Sequence, residues 1–160
     1  MTIAQGEKIP SVSIMMATPN GPEKSDAADV LGGGKVALFS VPGAFTPTCS
    51  AKHLPGFVEN AAALKSKGID KIVCVSVNDA FVMDAWGKAH NADGAVEMMA
   101  DGNGDLAKAL GLTMDASGFG MGERGQRFSA IIENGAVAQL NVEAPGAFEV
   151  SSAEYMLGQL

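Results

Sequence analysis

The stretch KVALFSVPGAFTPTC, residues 35–49, contains a strand, a turn and the start of a helix in immediate succession. KVALFSV (35–41) is an apolar run that follows three glycines, which predicts a buried strand. A Pro-Gly pair ends that run. Thr46 is then a good N-cap and Pro47 suits the first helical position, so a helix is expected over residues 46–66.

Strands and helices alternate along the remainder of the chain. Further strands are predicted at 11–17, 69–77, 96–101, 127–133 and 136–142, and further helices at 78–90, 105–112 and 152–160. Asn134-Gly135, between the last two strands, is typical of a type I′ hairpin turn. The pattern predicts an α/β fold with a mixed central sheet flanked by helices, of which the thioredoxin-like fold is one example. No linker or repeat divides residues 1–160, so a single domain is expected.

Composition excludes several classes of protein. The 160 residues carry 18 Asp and Glu against 11 Lys and Arg, a net charge of -7 that disfavours nucleic acid as a partner. The sequence has no apolar run long enough to predict a membrane span and no pattern typical of a secretory signal. Two cysteines are too few for a disulfide scaffold. These features lead to the expectation of a cytoplasmic protein with reduced thiols.

Cys49 is the first candidate functional residue. With Thr46 as the N-cap, its sulfur lies in the first turn, where unpaired N–H groups and the helix dipole favour a thiolate. A buried, inert cysteine is the alternative that the local spacing leaves open. His53, four residues later, could polarise the thiol or could be a structural or rim histidine. No C-x-x-C motif and no zinc-ligand spacing accompany it.

PGAFTPTC (42–49) also contains the pattern Pro-x-x-x-Thr-x-x-Cys, and in this it resembles the peroxiredoxins, which are thiol-dependent peroxidases with a thioredoxin-like fold. VCVSVNDAFVMDAWGKAH (73–90) and RFSAIIENGAVAQLNVE (127–143) extend the resemblance over nearly the whole chain. These segments are similar to the atypical type II subgroup, related to mammalian peroxiredoxin five and the plant type II enzymes. The resemblance implies reduction of hydrogen peroxide and organic hydroperoxides, with no cofactor and no metal.

The resemblance also implies a role for each site residue. Cys49 would be the peroxidatic cysteine, whose thiolate attacks a peroxide oxygen and becomes a sulfenic acid. Thr46 would orient the peroxide, and Pro42 would shape the pocket and shield the thiolate. Arg127 matches the family's arginine and would hold thiolate and peroxide together. Arg124, the other arginine, is expected to be solvated or at an interface.

The fate of the sulfenic acid depends on the second cysteine. Cys74 lies within an apolar strand, so we expect a buried, structural thiol, although plant type II members have a cysteine here that has been proposed to resolve the sulfenic acid. Val150 stands where the resemblance places the mammalian resolving cysteine. An external thiol, from glutathione with glutaredoxin or from thioredoxin, is therefore the expected reductant. A peroxide sensor or chaperone-like redox protein is the alternative function.

Apolar residues in loops suggest a second interaction. Phe45 lies beside the cysteine, and Phe119 and Met121 lie in the glycine-rich stretch 113–125, of which residues 120–125 are expected to be a flexible loop. Because the subgroup commonly dimerises near the active site, a homodimer is expected.

Overall fold

A seven-stranded sheet forms the centre of the protein, as seen in a computed structural model that describes residues 1–160. The strands are β1 (Ser13–Thr18), β2 (Gly21–Asp26), β3 (Lys35–Ser40), β4 (Lys71–Ser76), β5 (Glu97–Ala100), β6 (Thr113–Asp115), β7 (Glu123–Gly125), β8 (Phe128–Glu133) and β9 (Ala136–Val142). The helices are α1 (Ala27–Val30), α2 (Leu54–Glu59), α3 (Ala61–Ser66), α4 (Ala80–Ala89), α5 (Asp105–Leu110) and α6 (Ala153–Leu157). No helix combines the length and the apolar character needed to cross a membrane.

The sheet is mixed, in the order β2-β1-β5-β4-β3-β8-β9. β3, β4 and β5 are mutually parallel, and the other strands pair antiparallel to their neighbours. β8 and β9 form the expected hairpin, in which Asn134 and Gly135 have φ values of 50° and 84°. Positive φ at both central positions is what a type I′ turn requires. The prediction of an α/β fold with a mixed sheet is therefore confirmed.

Two apolar layers cover the two faces of the sheet. Every residue of β3 and β4 except its first is buried, as the continuous apolar runs predicted. Successive side chains point to opposite faces, so Phe39 and Cys74 lie in one layer, whereas Leu38 and Val73 lie in the other. The layer that contains Phe39 also contains Cys49.

Three elements differ from the sequence-based expectation. β2 has the sequence GPEKSD and was not predicted, because an edge strand held by backbone pairing to β1 needs no apolar pattern. Residues 120–125 are not simply a flexible loop, since β7 lies within them and pairs with β6. The helix predicted over 46–66 is interrupted: residues 49–53 form a wide π turn, and α2 and α3 meet at Asn60.

The register between β3 and β8 determines where the functional residues meet. Ser40 pairs with Phe128, so the beginning of β8 lies beside the end of β3. Arg127 immediately precedes β8, and the turn that begins at Pro42 follows β3. Residues nearly eighty positions apart in the chain therefore converge at one end of the sheet.

Candidate active site

Cys49 lies in the first helical turn after β3, as the Thr-Pro helix start predicted. The helical ladder begins where the Ser50 N–H donates to the Thr46 carbonyl at 2.9 Å. The N–H groups of Thr48 and Cys49 donate to no backbone carbonyl, so they are available to a bound oxygen atom. Cys49 itself is 0% exposed, and its thiol is free.

The turn between β3 and Cys49 is tightly packed. The Thr46 hydroxyl donates to the Gly43 carbonyl at 2.7 Å and so closes this turn, instead of capping the helix as expected. Gly43 leaves little room for a side chain, because a Cβ would lie 3.1 Å from Thr46 Cγ2 and 3.2 Å from both Arg124 Nη1 and Met121 Cε. Phe45 adopts a left-handed φ of 63°, an unfavourable conformation that tends to persist at functional sites.

Arg127 reaches the sulfur directly. Its Nη2 donates to Cys49 Sγ at 3.1 Å, and its Nη1 donates to His53 Nδ1 at 2.8 Å. The guanidinium carbon also lies 5.8 Å from the centre of the Phe148 ring. The planar, permanently charged guanidinium thus donates to the thiol through one NH₂ group and is held by His53 through the other.

His53 is buried within an aromatic cluster and does not line the rim of the site. Its ring packs against Phe39, Phe57 and Phe148, and it is 0% exposed. Nε2 lies 2.9 Å from the Ser151 carbonyl, which can only accept, so Nε2 carries the proton and Nδ1 accepts from Arg127. Burial and the adjacent Arg127 charge lower the pKa of His53 to about 3.

Two expectations about His53 are therefore answered. It is structural, but it is not a rim residue, and its Nδ1 faces Arg127 rather than the sulfur. The spacing of four residues after the cysteine was visible in the sequence. Its arginine partner was not, because the pairing depends on the β3–β8 register.

Glu143 was missed by the sequence analysis. This residue is only 7% exposed, and its Oε2 accepts from the N–H groups of Glu149, Val150 and Ser151 and from the Ser151 hydroxyl. Burial alone would raise the pKa of Glu143, but the Ser151 hydroxyl and these backbone donors lower it below its ordinary value. No motif in the sequence marks this carboxylate, since its partners come from an irregular loop.

Cys74 lies on the same face of the sheet as Cys49 but in a different environment. It is mid-strand, fully buried and adjacent to Phe39 in the β3–β4 pairing. Burial, together with the nearby Cys49, raises the pKa of the Cys74 thiol well above its ordinary value. The expected burial of this cysteine is confirmed, and its thiol is free.

Pro42 and Arg124 lie at the mouth of the site. Pro42 lines a cleft of about 660 Å³ together with Thr48, Phe119 and Arg127. Arg124 is half-buried, and it donates through Nε to the Met121 carbonyl at 2.9 Å and through Nη1 to the Pro42 carbonyl at 3.4 Å. Arg124 is therefore not freely solvated, since it braces the turn after β3, and its expected place at an interface stays a prediction. No group of three or more His, Cys, Asp or Glu side chains is arranged to hold a metal ion.

Comparison with known proteins gives consistent matches over almost the whole chain. Residues 4–157 match the redoxin family. The chain is 48% identical over 164 residues to peroxiredoxin-2E-2, chloroplastic, from Oryza sativa subsp. japonica, covering 99% of this chain and 73% of that protein. It is 46% identical to peroxiredoxin-2B from Arabidopsis thaliana, covering 99% and 98%.

A solved structure matches equally well. Reduced Prx3 from Vibrio vulnificus in complex with hydrogen peroxide superposes with a TM-score of 0.95 at 52% identity, covering 99% of both chains. The thioredoxin-like fold expected from the sequence is confirmed by this match.

The expectation of a cytoplasmic location is wrong. The rice relative and a second relative, from Arabidopsis thaliana, are both named chloroplastic. The expectation rested on reduced thiols and on the lack of a secretory pattern. Neither property distinguishes one reducing compartment from another.

Proposed function

Because this chain belongs to the redoxin family and is a peroxiredoxin, a thiol-dependent peroxidase, we propose that Cys49 is its peroxidatic nucleophile. The observation that carries the proposal is the 3.1 Å contact from Arg127 Nη2 to Cys49 Sγ. The unused N–H groups of Thr48 and Cys49 support it further, since they supply donors next to the sulfur.

The first half of the proposed reaction oxidises Cys49 and reduces the peroxide. The Cys49 thiolate donates an electron pair to one oxygen of ROOH, the S–O bond forms and the O–O bond breaks. The leaving RO⁻ takes up a proton and departs as water or an alcohol, while the sulfur is oxidised to a sulfenic acid. Hydrogen peroxide and organic hydroperoxides are the proposed substrates, and the V. vulnificus relative in complex with hydrogen peroxide supports the first of these.

Charge spreads over the sulfur and both peroxide oxygens in the transition state, so hydrogen-bond donors aimed at those atoms accelerate the reaction. Arg127 is proposed to stabilise the thiolate and one oxygen with its fork. The Thr46 hydroxyl, which now donates to Gly43, is proposed to turn to the peroxide, and the Cys49 N–H would donate to the same molecule. Pro42, on the wall of the cleft, would exclude water from the thiolate.

An external thiol is proposed to complete the cycle. Its thiolate attacks the sulfenic sulfur, a mixed disulfide forms and water leaves. A second thiol then reduces that disulfide and releases Cys49. Glutathione with glutaredoxin, or thioredoxin, would be the donor. The raised pKa of the buried Cys74 thiol supports a cycle in which this second cysteine takes no part.

A homodimer is proposed for the protein in solution, in line with the resemblance to the type II subgroup. Two aromatic side chains near the site support it: Phe45 is 56% exposed and Phe119 is 83% exposed. Exposed apolar side chains near a functional site often mark a protein–protein interface. Sedimentation velocity would test it, since Phe45→Ser and Phe119→Ser together should convert a dimer into a monomer.

Peroxide turnover tests the catalytic proposal. Reduced protein with a panel of thiol donors should consume hydrogen peroxide over many cycles, and Cys49→Ser should abolish consumption. Cys74→Ser is the matched control and should retain turnover. Loss of all turnover in Cys74→Ser would refute the one-cysteine cycle. Consumption of a single equivalent with every donor would favour a sensor.

A further inference from the structure

Arg127 is held in an unusual way for a half-buried arginine beside a buried thiol. Besides the Cys49 sulfur, its guanidinium donates only to His53, and no carboxylate lies within ion-pair distance of it. A carboxylate partner would cancel the positive charge that faces the sulfur. A neutral imidazole can accept a hydrogen bond and leave that charge in place.

His53 can accept only if its other nitrogen keeps the proton. The Ser151 carbonyl, 2.9 Å from Nε2, enforces this, because it requires a donor at Nε2. The Ser151 peptide is in turn held by Glu143, whose carboxylate accepts from the Ser151 N–H at 2.8 Å and from its hydroxyl at 2.6 Å. An unbroken series of contacts therefore leads from Glu143 to the sulfur.

We propose that Glu143, Ser151 and His53 form a positioning relay that holds the Arg127 guanidinium at Cys49 without neutralising it. The relay rests on the proposed role of Cys49, and it assigns His53 and Glu143 to the reaction as positioning residues. His53 fixes the fork from one side, and Glu143 fixes the tautomer of His53 through Ser151. The aromatic rings around His53 keep water from competing for its two nitrogens.

Two conservative variants separate the two bonds of His53. Asn places an oxygen where Nδ1 lies, so His53→Asn can still accept from Arg127 but cannot reach Ser151. Gln places a nitrogen where Nε2 lies, so His53→Gln can still donate to Ser151 but offers Arg127 no matching acceptor. Single-turnover oxidation of Cys49 by hydrogen peroxide, followed by quenched-flow mass spectrometry, then measures the effect.

The relay predicts that His53→Gln slows Cys49 oxidation by about 10- to 100-fold, because a bond to a charged group is lost. His53→Asn should stay clearly faster than His53→Gln. A role in packing alone predicts the reverse order, since Gln fills more of the aromatic cluster than Asn. A rate for His53→Gln equal to or above that of His53→Asn would overturn the relay. His90→Gln is the control histidine variant.

Glu143 has a matched control in the same loop. Glu143→Gln replaces an acceptor by an amide whose NH₂ faces backbone donors, so it should slow Cys49 oxidation about 3- to 10-fold. Glu149→Gln removes an exposed carboxylate of that loop and should have no effect. Equal rates for the two variants would remove Glu143 from the relay.

The wild-type protein offers a test that needs no variant and no turnover. Proton–nitrogen NMR of histidine-labelled protein should show His53 protonated only at Nε2 between about pH 5 and pH 8. The charged groups that face the ring are Arg127 and Glu143, with the Cys49 thiol beyond Arg127. A proton on Nδ1 would overturn the relay even if Cys49→Ser confirms the proposed function. Turnover that survives Cys49→Ser would refute that function and leave this NMR result standing.

Discussion

The two cysteines lie in the same apolar layer, both 0% exposed, and yet their surroundings differ in the respect that matters for chemistry. Cys49 has an arginine N–H group at 3.1 Å and lies in a first helical turn with unused N–H groups. Cys74 lies mid-strand, where burial raises the pKa of its thiol. Burial therefore does not distinguish the proposed nucleophile from the second cysteine. The donors aimed at the Cys49 sulfur do.

Removing the arginine should break this contrast most severely. Arg127→Gln deletes the charge that faces Cys49, and the single-turnover rate with hydrogen peroxide should fall by about 10²- to 10³-fold. Arg127→Lys keeps the charge without the planar guanidinium, and its oxidation rate should lie between those of wild type and Arg127→Gln. A rate for Arg127→Gln within about threefold of wild type would contradict the difference drawn between the two cysteines.

Lowering the pH should destabilise the folded protein through His53, next to Cys49. The pKa of His53 is about 3 in the folded protein against an ordinary 6.5, so between these values the unfolded chain binds a proton that the folded chain does not. The contribution of the neutral His53 side chain to the free energy of unfolding is complete above pH 6.5. It is lost progressively as the pH falls towards 3, by up to about 1.4 kcal/mol per pH unit. Urea unfolding of wild type and His53→Gln at several pH values measures this. If the free energies of unfolding of wild type and His53→Gln changed in parallel with pH, this role of His53 would be contradicted.

Cys74 should matter for stability and not for rate. Cys74→Ser buries a hydroxyl among apolar side chains, and the free energy of unfolding should fall by about 1–3 kcal/mol. Cys74→Ala carries no polar group and serves as the comparison. Both variants should oxidise Cys49 at the wild-type rate. The indole of Trp86, the only tryptophan, donates to Ser50 Oγ at 3.0 Å, so its fluorescence can follow unfolding next to the site.

The smallest effect is expected at the turn before Cys49. Gly43→Ala places a methyl group 3.1–3.2 Å from Thr46, Arg124 and Met121, so these side chains must shift by a few tenths of an ångström. Since Thr46 is proposed to orient the peroxide, the oxidation rate should fall about 2- to 10-fold with little loss of stability. Gly118→Ala, in open space, is the control. A Cys49 oxidation rate for Gly43→Ala above that of Gly118→Ala would show that the turn does not position Thr46.

Local patterns predicted much of this protein correctly. The apolar runs of β3 and β4, the Asn-Gly turn and the helix start at Thr46 depend on near neighbours in the chain, so they can be read directly. The strand β2 could not be predicted in this way, because it is held by backbone pairing with β1 and has no apolar pattern of its own. The cellular location could not be predicted either, since reduced thiols and composition do not specify a compartment.

The sequence by itself determined that a cysteine would stand in a first helical turn with threonine and proline before it. Only the tertiary structure decided how Arg127 is held there. The β3–β8 register brings Arg127 to Cys49, and the loop folded around Glu143 orients His53 towards it. The physical reason is that hydrogen-bond partners across 74 or 98 positions are selected by packing and register, which no local pattern records.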